Sequence, residues 1–346
     1  MLHSIDAGIL FLQEEEVIKA GALDMKMTLD AVEETYALLG KGQVLNPPKT
    51  HIAMPIGSGA NWGSFFNSMP CYIGGDYNIG GTKWAAESKK NAAIPGIPYG
   101  IDITILSDPE TVLPFCILDG TLITAMRTSA VAGVFAKHTV PKDAATALLV
   151  GAGVIGRTMI MAVCEAVPQI KKIYLADLDL AKAEGLAADY KGVYDVEIIP
   201  TADAKSAAGE AEVIITETTA RTPFLDKSWL KPGLTVINMG SMEADLESVK
   251  ASDIIAVDYW DQIITYDSKA AAQLYKAGEL TKDQVIELSE MVLGNWAGRK
   301  EANQIINCSS LGLGALDIMI GYKLFLNAQK MGLGTHVKLW DKPLWE

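Results

Sequence analysis

Gly151-Ala152-Gly153-Val154-Ile155-Gly156 is the run of residue types and spacing in this chain that points most directly to chemistry. A G-x-G-x-x-G run alone is weak, and its flanks decide what it means. Thr146-Ala147-Leu148-Leu149-Val150 in front is apolar and of strand length. Residues 154–167 behind are apolar and of helix length, and Pro168 stops them. In such a strand–turn–helix the first glycine allows the tight turn and the second lets the backbone approach a pyrophosphate. The third lets helix pack on strand, and the helix N-terminus faces the phosphates. The next apolar run, 173–176, ends at Asp177, where a carboxylate would hydrogen-bond the adenosine ribose 2′-hydroxyl and repel a 2′-phosphate. Leu178-Asp179-Leu180 offers no arginine for that phosphate, so NAD is expected over NADP.

A dinucleotide turn brings only a cofactor; other residues must hold a substrate against it. Lys83 stands among small residues in Gly80-Gly81-Thr82-Lys83-Trp84, where an ammonium would bind a carboxylate or move a proton. A solvated surface lysine is the plainer reading. Arg127 is the one arginine in a small, apolar, helical stretch from Asp119 to Ala130, and a guanidinium there needs an anion. That anion is a ligand or a structural carboxylate; the sequence leaves both open. In Gly240-Ser241-Met242-Glu243-Ala244-Asp245, just after an apolar strand, Glu243 or Asp245 is placed to act as acid or base, or simply to be a solvated loop carboxylate.

Composition narrows the partners. With 29 lysines and arginines against 42 aspartates and glutamates, the net charge of −13 opposes a general affinity for nucleic acid or anionic lipid. A content of 49% hydrophobic and 21% charged residues in 346 is ordinary for a globular protein of two domains. Met1-Leu2-His3-Ser4-Ile5-Asp6 has no basic leader region, and no uninterrupted apolar segment is long enough to span a bilayer, so a cytoplasmic protein is expected. Cys71, Cys116, Cys164 and Cys308 are far apart, as are His3, His51, His138 and His336. Neither a metal site nor a nucleophile–histidine pair is signalled.

The elements that must position these residues fall into two patterns. Residues 8–13 read as a strand and 14–41 as helix interrupted at Gly21. Strand candidates then follow at 49–54, 64–73, 80–87, 101–107 and 113–118, separated by Gly, Pro, Asn or Asp, as in an antiparallel sheet. Residues 119–137 are helical and lead into the strand before the glycine turn. Later strand candidates at 196–199, 212–216, 235–239 and 254–258 alternate with helical segments, as in a doubly wound parallel sheet. A last helix, 311–331, is placed to return to the first domain. The expected fold class is therefore α/β: a Rossmann doubly wound sheet over 129–311, plus a discontinuous α+β substrate and dimerisation domain from 1–128 and 312–346.

The ordered set G-T-K-W, S-D-P-E-T-x-x-P-F-C-I-L-D-G-T-L-I-T-A-M-R-T-S-A-V-A-G-V-F-A-K-H and G-A-G-V-I-G resembles the ornithine cyclodeaminase/μ-crystallin family over nearly the whole chain. Phe66-Asn67-Ser68-Met69-Pro70, Gly74-Gly75-Asp76 and the V-D-Y-W-D-Q run at 257–262 are closest to the branch that includes N-(2-amino-2-carboxyethyl)-L-glutamate dehydrogenase. The resemblance implies a homodimer formed through the antiparallel domains and an active site between the two domains of each subunit. It places Lys83 on the lysine that contacts the substrate carboxylate and assists proton transfer, and Arg127 and Thr128 near the cofactor phosphates. Thr218, Met239 and Ser310 are counted with the cofactor set. Lys49 falls where many members carry an arginine; lysine keeps the charge and loses the bidentate fork. Glu243 falls where cyclodeaminases carry a catalytic aspartate followed by P-G-K, and that pattern is absent here.

The leading expectation is an NAD-dependent oxidoreductase acting at the C–N bond of an amino acid or an opine-like secondary amine. Lys83 and Lys49 would hold carboxylates and Glu243 would move a proton. A cyclodeaminase-type lyase that recycles NAD within one turnover is the second reading. A nucleotide-binding protein without chemistry, like the crystallin branch, is the third.

Overall fold

The structure is a computed structural model that describes residues 8–54, 64–241 and 243–345. The N-terminal hexapeptide and Met242, noted above, lie outside them. In chain order, strand β1 (Gly8–Leu12) is followed by helices α1 (Glu14–Lys19) and α2 (Met25–Gly40). Gly21, at φ +110°, supplies the left-handed turn that separates the two helices. Strands β2 (Val44–Leu45), β3 (Thr50–Met54), β4 (Ser64–Ile73), β5 (Ile79–Ser88), β6 (Gly100–Ser107) and β7 (Pro114–Asp119) come next, and then helix α3 (Thr121–Thr139).

The second pattern begins with β8 (Thr146–Val150), α4 (Val154–Ala166), β9 (Lys172–Ala176), α5 (Leu180–Asp189), β10 (Glu197–Thr201), α6 (Ala204–Ala208) and β11 (Val213–Thr216). It continues through β12 (Thr235–Asn238), α7 (Leu246–Lys250), β13 (Ile254–Val257), α8 (Trp260–Ile263), α9 (Ala270–Lys276), β14 (Val285–Glu287), α10 (Leu288–Val292) and β15 (Ile306–Ser309). Helix α11 (Gly314–Met331) and strand β16 (Thr335–Lys338) close the chain.

Two compact units result: Met1–Asp24, Lys41–Arg127 and Leu313–Glu346 form one, and Met25–Gly40 with Thr128–Gly312 form the other. The sequence reading put all of 1–128 in the first unit. Helix α2 instead belongs to the second, because its apolar side packs on α4 and α10. The boundary at Arg127 and Thr128 falls inside α3, a helix buried on nearly every side and therefore apolar throughout.

In the second unit the strand order is β10-β9-β8-β11-β12-β15-β13-β14, all parallel. Its central strands are buried on both faces, which is why they read as unbroken apolar runs. In the first unit the order is β16-β1-β7-β6-β5-β4-β2, with β3 on β4. This sheet is mixed, since β1 runs parallel to β7. Its short edge strands β2 and β16 give too little alternation to be read from sequence.

Strand β6 inverts the usual pattern. Asp102 and Thr104 are buried while Ile101 and Ile103 are 44% and 41% exposed. A buried polar face requires partners, and α11 packs against β4, β5 and β6 of this unit. The approach is close because two residues lack side chains. A Cβ on Gly314 would stand 2.5 Å from the Met69 carbonyl oxygen, and one on Gly81 would stand 2.6 Å from Ile318 Cδ1. Replacing Gly314 with Ala should therefore push α11 off the sheet and cost about 1–3 kcal/mol, read as a lower urea midpoint. An unchanged midpoint would contradict the close seating.

Candidate active site

The glycine turn of the second unit is built as its spacing requires. Gly151 has φ +117°, and a Cβ there would lie 2.2 Å from the Glu217 carbonyl oxygen. A Cβ on Gly156 would lie 2.1 Å from the Gly151 carbonyl oxygen, so the helix can begin this close to the strand only with glycine. Gly153, the N-cap of α4, faces open space, which leaves its backbone approachable. Val154 is exposed at the helix start, Ile155 is half-buried, and Ala152 is buried.

Asp177 follows β9 beside this turn. Its Oδ2 accepts a hydrogen bond from the Ala152 N–H at 2.8 Å, and its Oδ1 accepts one from the Asp179 N–H at 2.9 Å. An ionised carboxylate has roughly four acceptor positions, so the two bonds fix its orientation and leave positions for sugar hydroxyls.

The opposite half of the crevice is organised by buried charge. Glu243 is 2% exposed, and both of its oxygens are engaged. Oε2 accepts from the Thr216 hydroxyl at 2.6 Å and the Gly240 N–H at 2.9 Å, and Oε1 accepts from the Thr218 N–H at 2.6 Å. Burial pushes its carboxyl above the ordinary range, against the opposing pull of these donors and of the Lys269 charge. The Lys269 ammonium donates to the carbonyls of Met239 and Gly240, and burial lowers its pKa. Glu243 and Lys269 thus pin the two loops at the ends of β11 and β12, Thr218 and Met239 included. A small cleft opens there, lined by Asn238, Gly240, Glu243, Lys269, Asn307 and Ser309.

Asp245 caps α7 through the Ser248 N–H, a structural task. Ser310 donates its hydroxyl to Asp258 at 2.7 Å, and the same Asp258 oxygen accepts the N–H groups of Leu311 and Gly312.

The first unit holds the second cluster. Lys83 is 1% exposed, far from the solvated surface lysine that is the plainer reading of its sequence. Its Nζ lies 2.6 Å from Thr124 Oγ1, 3.2 Å from Asp102 Oδ2 and 3.1 Å from Asp317 Oδ1. The Thr124 hydroxyl, with one proton to give, lies within hydrogen-bond reach of Asp102 and of the Gly120 carbonyl. Arg127 places its Nε 3.4 Å from both oxygens of Asp317, so the anion it requires is supplied at least in part by the protein. Thr128, the next residue, is buried and belongs to the other unit.

Lys49 precedes β3 and is half-buried. Its field, with those of Lys83 and Arg127, opposes the rise that burial and Asp102 impose on the carboxyl of Glu87. Glu87 is two turns of the pleat beyond Lys83 on the same face of β5 and retains an exposed surface.

Sequence reasoning missed Asp102, Thr124, Asp317, Lys269 and Asp258. A carboxylate on the apolar helix 311–331 was the available signal for Asp317. The four cysteines are unpaired, and burial pushes the thiols of Cys116, Cys164 and Cys308 up to about 12. A thiolate nucleophile is therefore disfavoured. Among the described residues no group of His, Cys, Asp and Glu has the arrangement of a metal site.

The family model for ornithine cyclodeaminase/mu-crystallin matches residues 10–329. The chain belongs to that family. A relative from Staphylococcus aureus, N-((2S)-2-amino-2-carboxyethyl)-L-glutamate dehydrogenase, is 27% identical over 96% of this chain and 99% of its own. The Thermococcus litoralis Δ1-pyrroline-2-carboxylate reductase, solved with NADH and L-proline, is 28% identical with a TM-score of 0.85, covering 95% of this chain and all of that one. An archaeal alanine dehydrogenase dimer with bound NAD shares the fold at a TM-score of 0.81, with 23% identity over 96% of this chain and all of that one.

The glycine geometry separates two substitutions. Gly153→Ala should melt like the parent yet raise the Kd for NAD by roughly tenfold, about 1.4 kcal/mol, because its side chain would stand on the open side of the turn. Gly156→Ala should lower the melting temperature and the affinity together. Equal behaviour of the two variants in calorimetry would refute the assignment.

Proposed function

We propose that this chain is an NAD-dependent oxidoreductase that acts at the C–N bond of an amino acid or an opine-like secondary-amine amino acid. The observation that carries the reading is the buried Lys83–Asp102–Asp317–Arg127 cluster, in a chain that also builds a complete dinucleotide turn. The turn fits NAD: two of its glycines stand where any Cβ would collide with backbone, and Asp177 is oriented at the end of the next strand. The cofactor supplies the hydride acceptor. Gly151 to Gly156 and Asp177 would hold its adenosine and pyrophosphate portions, and Thr218, Met239 and Ser310 lie on loops fixed by Glu243, Lys269 and Asp258.

The amino-acid side falls to the first unit. Arg127 and Lys49 are the cations for substrate carboxylates, and Lys83, passing its own proton to Asp102 or Asp317 beside it, is the group that takes and returns protons at the substrate nitrogen. In the oxidative direction the α-carbon gives up hydride and becomes an imine. Water then adds to the imine carbon, and the amine leaves after gaining a proton, giving a 2-oxo acid. Glu243 has both oxygens engaged, so its task in this reading is to hold the cofactor-side loops.

The name of the Staphylococcus aureus relative, N-((2S)-2-amino-2-carboxyethyl)-L-glutamate dehydrogenase, supports a substrate bearing more than one carboxylate. A homodimer is part of the proposal. Ile52, Trp84, Ile101 and Ile103 are each at least 40% exposed on the face of the first unit's sheet opposite Lys83 and Asp102. One related enzyme is described as a dimer. A second copy would cover this apolar face. The cytoplasm is the proposed place of action; no helix among the described residues is long and apolar enough to cross a membrane.

Incubation with NAD and a panel of amino acids, or with NADH and 2-oxo acid plus amine pairs, should change absorbance at the nicotinamide band. Ammonia without net NADH would identify a cyclodeaminase instead. Lys83→Ala should abolish turnover and leave NAD binding intact; full activity in that variant would sink its role. Ile103→Glu should halve the mass measured by analytical ultracentrifugation, and an unchanged mass would rule out this face as the contact.

A further inference from the structure

Asp317 enters the Lys83 cluster from a distant part of the chain, and its geometry is unusual for a structural ion pair. It is 0% exposed and lies on α11, three residues after Gly314 and so on the same side of the helix. The glycine that lets α11 touch β4 therefore also brings this carboxylate down to the sheet. Three oxygens stand within 3.2 Å of Lys83 Nζ, as many as the ammonium has N–H groups. Lys83 is thus enclosed by protein oxygens, and a substrate carboxylate would have to compete with the two carboxylates already beside it.

Arg127 is arranged the opposite way. Asp317 meets it only at Nε, and its two terminal nitrogens have no hydrogen bond to any described residue, although the side chain is only 10% exposed. Two cations and two carboxylates therefore balance, with one planar donor fork left over.

We infer that Asp317 is a positioning residue for the amino-acid chemistry: it fixes the Lys83 ammonium and holds Arg127 by Nε, so that the terminal nitrogens of Arg127 take the substrate carboxylate. The inference rests on the oxidoreductase reading above and adds the residue that holds Arg127 and Lys83 to their separate tasks. A buried ion pair contributes little net stability, because the loss of hydration offsets the attraction. The consequence of Asp317 therefore lies in where it holds its partners.

The test uses the full-length protein with Asp317→Asn, Asp317→Glu, Lys83→Met and the Lys83→Met/Asp317→Asn double variant. Misplacement of a catalytic group by about 1 Å can cost on the order of 100-fold. Asp317→Asn should accordingly lower kcat by roughly 10- to 100-fold and raise KM for the amino acid, while the calorimetric Kd for NAD stays within about twofold. Asp317→Glu should recover part of kcat. Melting temperatures should be non-additive, the double variant losing less than the sum of the single losses, because each single change strands a buried charge. The inference is overturned if folded Asp317→Asn keeps its kcat, if NAD affinity falls while KM is unchanged, or if the melting losses simply add. Should the parent turn over no amine or imine at all, the oxidoreductase reading fails, and the melting cycle alone still decides whether Asp317 holds Lys83.

Discussion

A lysine ammonium with 1% exposure is the constraint around which the first unit is organised. Taking that charge out of water costs several kcal/mol unless partners replace the solvent. The partners come from three separated elements: Asp102 from β6, Thr124 from α3 and Asp317 from α11. Each of those elements is then obliged to sit where it does. The C-terminal helix must return, the glycines at 81 and 314 must lack side chains, and β6 must turn polar residues inward and isoleucines outward. One buried charge thus ties together three elements that lie far apart in the chain.

The second unit shows the same logic with the opposite sign. Glu243 is the buried carboxylate, and it gathers a hydroxyl and two backbone N–H groups from the ends of β11 and β12. Lys269 returns the charge by capping the carbonyls of Met239 and Gly240. Asp258 does for the loop after β15 what Glu243 does for the loops after β11 and β12. Strand ends in an open parallel sheet are where ligands bind, and here each of these loops is tied by a buried acid.

The glycine turn was legible because its chemistry is local: every requirement lies within 151–156 and its two flanking elements. The place of Asp177, just past the next strand and beside the turn, was legible for the same reason. Lys83 and Arg127 could be singled out by their odd surroundings, yet sequence left open whether solvent, protein or ligand answered their charge. The answer depends on Asp317, which is 234 residues from Lys83 along the chain. No periodicity links those positions; only the return of α11 does. Helix α2 was assigned to the wrong unit on the same ground, since contiguity along the chain stood in for packing. Strands β2 and β16 carried too few residues to show alternation.

In the proposed reaction hydride leaves the substrate α-carbon for the nicotinamide ring and is not returned. The most direct measurement is turnover of an α-deuterated amino acid with NAD, followed by mass analysis of the recovered cofactor and product. One deuterium per turnover is expected in the reduced cofactor and none in the 2-oxo acid. Deuterium retained in the product with the cofactor left oxidised, or lost to water, would contradict it.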